Sequence, residues 1–129
     1  MTETITLVQS TDVRESETAA TRAYTLASPT VGGSTRTSLW RVKMFAGATG
    51  PRHLIDSEQI WTVVSGDASI RTETGEIVAR AGDTVIMPGG VLRTVIAVTD
   101  CEFLVCGSPN ALATVPGSGA EPASLPWAV

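Results

Sequence analysis

Short runs with a two-residue apolar rhythm, cut by regular turn signals, constrain this chain more than any other feature. In TRTSLWRVKMF (35–45), apolar Trp40, Val42 and Met44 alternate with basic Arg41 and Lys43. A period of two sends successive side chains to opposite faces, so the run is a strand with one wet face. EQIWTVVS (58–65) is rich in β-branched and aromatic residues. SIRTETGEIVAR (69–80) reads as a hairpin turning near Thr74-Gly75. DTVIM (83–87), VLRTVIAV (91–98) and CEFLVCG (101–107) continue the series, with SGD, AGD, PGG and TD between the runs. No stretch keeps the 3.6-residue period of a helix. The pattern predicts an all-β sandwich or barrel.

At 129 residues the chain forms one domain with room for a real core. We divide it into an N-terminal arm (1–34), a barrel core (35–107) and an extended tail rich in Pro, Gly and Ala (108–129). The arm holds only two weaker strand candidates, ITLVQ and RAYTL. In the tail, Leu125 and Trp127 argue for wrapping against the body, since such apolar groups are seldom left in solvent. The net charge of −4 and the lack of a basic cluster exclude a nucleic acid or an anionic membrane as an expected partner. No apolar run approaches the ~20 residues of a membrane span. The start, MTETITLVQ, is polar, and no signal peptide is expected there. Cys101 and Cys106 lie an odd number of residues apart in one strand, hence on opposite faces, and should not pair with each other. We read them as small buried hydrophobes, and free thiols suit a cytoplasmic protein.

The only histidine, His53, lies in GPRHLIDSEQIWTVVSG (50–66). Gly47 precedes it by six positions. Gln59 follows, and six residues separate Gln59 from Gly66. Fifteen residues later comes GDTVIMPGGVLR, with Gly82, Pro88, Gly90 and Arg93. These two segments resemble the paired motifs of the cupins, over about residues 35–107. The resemblance implies a jelly-roll β-barrel in which the two motifs supply facing strands around a central site. It also implies a homodimer, since jelly rolls leave sheet edges open.

A metal-binding cupin offers three histidines and a glutamate at the matched positions. Here the four positions hold His53, Ile55, Gln59 and Arg93. Ile55 cannot ligate, an amide is a weak ligand, and a guanidinium repels a cation. We therefore expect no metal and no other cofactor. Arg93 inside a barrel needs a partner, either Asp56, Glu58 or Gln59, or an anionic ligand; the other reading is a rim arginine paired with a surface acid. His53 is an acid/base group or a solvated loop residue. Trp61 is a flat wall for a ligand or plain core. With Gln59 inward, Trp61 and Val63 follow; with Arg93 inward, Val95 and Ala97 follow. The expected cavity is lined by Trp40, Val42, Met44, Trp61, Val63, Ile86 and Val95, with His53, Gln59 and Arg93 orienting a small molecule. By analogy with the sugar-nucleotide epimerase branch of the cupins, which works without metal, the resemblance implies a metal-independent isomerase or cyclase acting on an enolisable or polyene metabolite. His53 would move the proton, with a pKa near neutrality; Arg93 would stabilise negative charge; Gln59 would orient a carbonyl. Two alternatives stand beside it. One is a metal-dependent cupin dioxygenase or lyase using His53 with Glu58 or Gln59. The other is a non-catalytic metabolite-binding protein.

Overall fold

The computed structural model describes residues 4–129; residues 1–3, the first of the polar N-terminus, lie outside the described residues. The strands are β1 (Arg14–Glu17), β2 (Arg22–Ala27), β3 (Ser38–Met44), β4 (Leu54–Ile55), β5 (Gln59–Ser65), β6 (Asp67–Thr72), β7 (Gly75–Arg80), β8 (Thr84–Met87), β9 (Arg93–Ala97), β10 (Cys101–Gly107), β11 (Leu112–Thr114) and β12 (Ala123–Ser124). A single 3-10 turn, Ser10–Asp12, is the one helical element among the described residues. No helix there is long and apolar enough to cross a membrane.

The strands form three antiparallel sheets, ordered β1-β2-β3-β10-β5-β8, β7-β6-β9 and β12-β11-β4. This is an all-β jelly roll. Its core lies between the large sheet and the two small ones. Trp40, Val42 and Met44 of β3, Val63 of β5, and Phe103 and Val105 of β10 face inward from one side. Ile55, Ile70, Val95 and Ala97 close the other side. Strand alternation explains the selection: along β3, every second residue is buried from Ser38 to Met44.

Several local expectations give way. ITLVQ forms no strand, and Ile5 and Leu7 are exposed. The outer strand is instead β1, whose sequence RESE has no apolar residue to reveal it. An edge strand needs backbone pairing, here with β2, more than it needs an apolar face. The β6–β7 turn falls at Glu73-Thr74, because Gly75 already pairs with Thr72.

The tail folds back onto the body. β12 pairs with β11, and β11 pairs with β4 beside the first motif. Hydroxyls of Thr25, Ser28 and Ser38 donate to the carbonyls of Trp127, Val129 and Ala128. The Arg14 guanidinium donates to the Pro126 and Val129 oxygens at 2.8 and 2.7 Å. Leu125 and Ala128 are buried in consequence. Cys101 joins the inner row of β10 with Phe103 and Val105, while Cys106 takes the opposite parity; both thiols are free.

Candidate functional site

Two strands and one loop build a polar cluster inside the barrel. On β9, Arg93, Val95 and Ala97 are the buried set. On β5, Gln59 and Val63 are buried, with Trp61 partly buried between them. His53 lies just before β4 and forms an isolated β-bridge with Arg93. Its N–H donates to the Arg93 carbonyl at 3.1 Å, and the Arg93 N–H donates to the His53 carbonyl at 2.9 Å. That bridge brings the two motifs together at the site.

Arg93 is 3% exposed, which excludes the rim reading. Its Nη2–H donates to Gln59 Oε1 at 2.9 Å, and Trp61 Nε1–H donates to the same oxygen at 3.1 Å. Gln59 therefore holds both side chains in place through its amide oxygen. Gly107 leaves room for this, since a Cβ there would crowd Gln59 Cγ and Trp40 Cη2, each at 3.2 Å. Arg93 Nε and Nη1 have no protein acceptor. The acids Asp56 and Glu58 are not counter-ions. Both are exposed, and Asp56 Oδ1 instead accepts the Leu112 N–H at 2.9 Å. None of the ion pairs among the described residues includes Arg93. A buried guanidinium without a carboxylate is an expensive arrangement for a protein to maintain.

The environment shifts both titratable groups. Burial lowers the Arg93 pKa to about 10, so the group stays cationic at neutral pH. Burial, and then the Arg93 charge, lower the His53 pKa to about 4. The expectation of a near-neutral histidine is thus corrected: at pH 7 the ring is the free base, and a weak one.

These groups border a cavity of about 140 Å³. Trp40, Val42, Met44, Trp61, Val95, His53, Gln59 and Arg93 line it, as the sequence pattern led us to expect of their positions. Val63 does not; it is buried in the core beyond the cavity wall. Ile86 is the clear error of position, at 63% exposed. In β8, Val85 and Met87 pair with Trp61 and Gln59, so parity sends Ile86 outward. Sequence reasoning missed other walls: Ile55, Leu125 and Trp127, with Thr18 and Thr21 from the β1–β2 connection. The apolar tail residues were a visible signal of packing, though not of where they would pack.

No family model matches the chain, and no curated protein matches it by sequence. Solved structures do match. An RmlC-like cupin from Shewanella frigidimarina superposes with a TM-score of 0.66 at 18% identity, over 78% of this chain and 87% of that one. This chain has the cupin fold. Salicylate 1,2-dioxygenase from Pseudoaminobacter salicylatoxidans, as its adduct with gentisate, gives a TM-score of 0.69 at 14% identity; the match spans 81% of this chain but only 31% of the dioxygenase. A putative ethanolamine utilization protein Q from Salmonella typhimurium gives 0.61 at 21% identity, over 69% of each chain. At such identities the likeness is one of fold.

The metal that many cupins hold does not fit the residues of this chain. The four matched side chains converge, but they supply one imidazole, one amide already accepting two hydrogen bonds, one sec-butyl hydrocarbon and one cation. Glu58 is exposed, just ahead of β5, and does not complete a donor set. Among the described residues no three His, Cys, Asp or Glu side chains come together.

Proposed function

We propose that this cupin binds a small anionic or enolisable molecule in its barrel and is a metal-independent isomerase or cyclase. The observation that carries the reading is Arg93, a buried cation in a cavity wall with unpaired N–H donors and no protein carboxylate. A ligand oxyanion supplies the missing charge, held by charge-assisted hydrogen bonds. His53 takes a proton from the carbon next to the carbonyl and returns it elsewhere on the same molecule, while Arg93 holds the enolate oxygen. Burial is the larger cause of the low His53 pKa; an anion beside Arg93 offsets only the smaller, coulombic part, which favours the base in the bound state. The weak basicity of free His53 favours the second reading, a protein that binds the same class of molecule without transforming it. We place the protein in the cytoplasm, where its free thiols are stable, as a homodimer.

The test has two parts. Wild type and Arg93→Met are melted with a panel of carboxylates, phenolates and enolisable keto acids. At least one anion should raise the wild-type melting temperature and leave the variant unmoved; equal shifts in both would remove the anion site. The stabilising ligand is then incubated in D2O. Protein-dependent deuterium uptake, lost in His53→Gln, supports the enzyme; binding without exchange makes the protein a non-catalytic binder.

A further inference from the structure

The same cavity carries information about the body of its ligand as well as its charge. We infer that the ligand is a ring-sized monoanion, a compact cyclic body of benzene dimensions with one negative group at one end. This rests on the anion reading given above.

Size is the first argument. The cavity holds about 140 Å³, and an apolar protein cavity of roughly 150 Å³ accepts benzene. A single ring fills most of that volume, and a fused bicyclic body is the tighter fit.

Charge is the second. The lining residues include a single permanent cation, Arg93, and no acid. One negative group is therefore matched. A second would be desolvated against hydrocarbon with nothing to pair it. Nε and Nη1 of Arg93 carry three N–H bonds with no protein acceptor; they point to different edges of the guanidinium, so a carboxylate meets one edge at a time.

Shape is the third. The groups that can meet an anion are joined to one another: His53 to Arg93 through the β-bridge, and Arg93 and Trp61 to Gln59 by hydrogen bonds. Most of the remaining wall is apolar, with Val42, Met44, Val95 and Leu125 among it. All three tryptophans of the chain, Trp40, Trp61 and Trp127, line the space. They come from β3, β5 and the returning tail, so three rigid indole side chains border the space from separate elements. Rigid aromatic walls suit a ring better than a flexible chain.

Because every tryptophan borders the cavity, intrinsic fluorescence reports its occupancy without a label. We would titrate the protein at pH 7 with benzoate, cyclohexanecarboxylate, benzamide, terephthalate and 2-naphthoate, taking affinities from calorimetry and cavity occupancy from tryptophan emission. Benzoate and cyclohexanecarboxylate should bind. Benzamide, terephthalate and 2-naphthoate should each bind at least tenfold more weakly than benzoate. Trp127→Ala removes one wall at the tail, and it should raise the affinity for 2-naphthoate relative to benzoate at least fivefold. Terephthalate or 2-naphthoate binding wild type within threefold of benzoate overturns the ring-sized monoanion. So does tight binding of other anions, weakened by Arg93→Met, with no binding of either ring monocarboxylate. A different result, benzoate binding equally to wild type and a folded Arg93→Met, overturns the anion reading on which the inference rests.

Discussion

Arg93→Met should make the ligand-free protein more stable. The substitution deletes a buried charge while keeping much of the side-chain volume. Burial has lowered the Arg93 pKa to about 10, against an ordinary value above 12. That difference corresponds to roughly 3 kcal/mol of penalty on the charged form. The variant also loses the Nη2–H bond to Gln59, a contribution of about 1–2 kcal/mol. Gln59 Oε1 is not stranded, because Trp61 Nε1–H still donates to it. The balance is a gain of about 1–2 kcal/mol, or roughly 3–8 °C in melting temperature for a chain of this size. Urea unfolding and thermal melts in carboxylate-free buffer measure it. Arg93→Lys should fall between, since a buried ammonium sheds its proton more readily than a guanidinium. A Met variant that melts at or below wild type would show that the guanidinium is already compensated in the free protein, and the case for a ligand anion would lose its foundation.

Other expectations follow from the same geometry. His53 has a folded pKa of about 4, below the ~6.5 of an unfolded chain. The unfolded state therefore binds the proton more readily, and this contribution is complete above pH ~6.5 and lost as pH falls toward 4. His53→Gln lacks it, so between pH 7.5 and 4.5 the variant should gain about 1–2 kcal/mol on wild type in urea unfolding, after allowance for partial exposure; a constant difference would refute the shift. Gly66, at φ +85°, leaves no space for a Cβ, which would collide with the Asp100 carbonyl oxygen. Gly66→Ala should cost about 2–4 kcal/mol by strain and displacement of the neighbouring turn; chemical denaturation within ~0.5 kcal/mol of wild type would contradict this. Ile86 lies on an outward apolar row, Leu39–Cys106–Ile60–Ile86, that crosses four strands, and we propose this row as the contact of the expected homodimer. Ile86→Lys should leave ligand affinity unchanged and give a monomer by light scattering at micromolar concentration, whereas a wild type that is already monomeric would refute the dimer. Val63→Ala, by contrast, should cost about 2–3 kcal/mol through its core cavity.

Much of the architecture was written in local pattern. The alternation from Ser38 to Met44 is legible because one face of β3 meets the core and the other meets water. The paired motifs placed Gln59 and Arg93 inward because glycine and proline turns set where their strands start and stop. β1 was illegible for the converse reason: RESE is an edge strand made by backbone pairing, with no apolar face to leave a trace. Ile86 was misplaced because a four-residue strand of mostly apolar residues, TVIM, does not declare its parity. Only its register against β5 does so.

By itself, then, the sequence determined an all-β chain, the inward rows of its longer strands, and the poverty of the donor set at its cupin positions. These depend on residue type and a two-residue period. Tertiary structure decided the rest. It turned Leu125 and Trp127 from tail residues into cavity walls, through hydrogen bonds from Thr25, Ser28 and Ser38 that lie far away in the chain. It decided that Arg93 would meet an amide instead of a carboxylate, and it moved the His53 pKa down to about 4. Protonation and pairing depend on how deeply a group is buried and which charges lie within a few ångströms, and those distances exist only once strands distant in sequence have closed around the site.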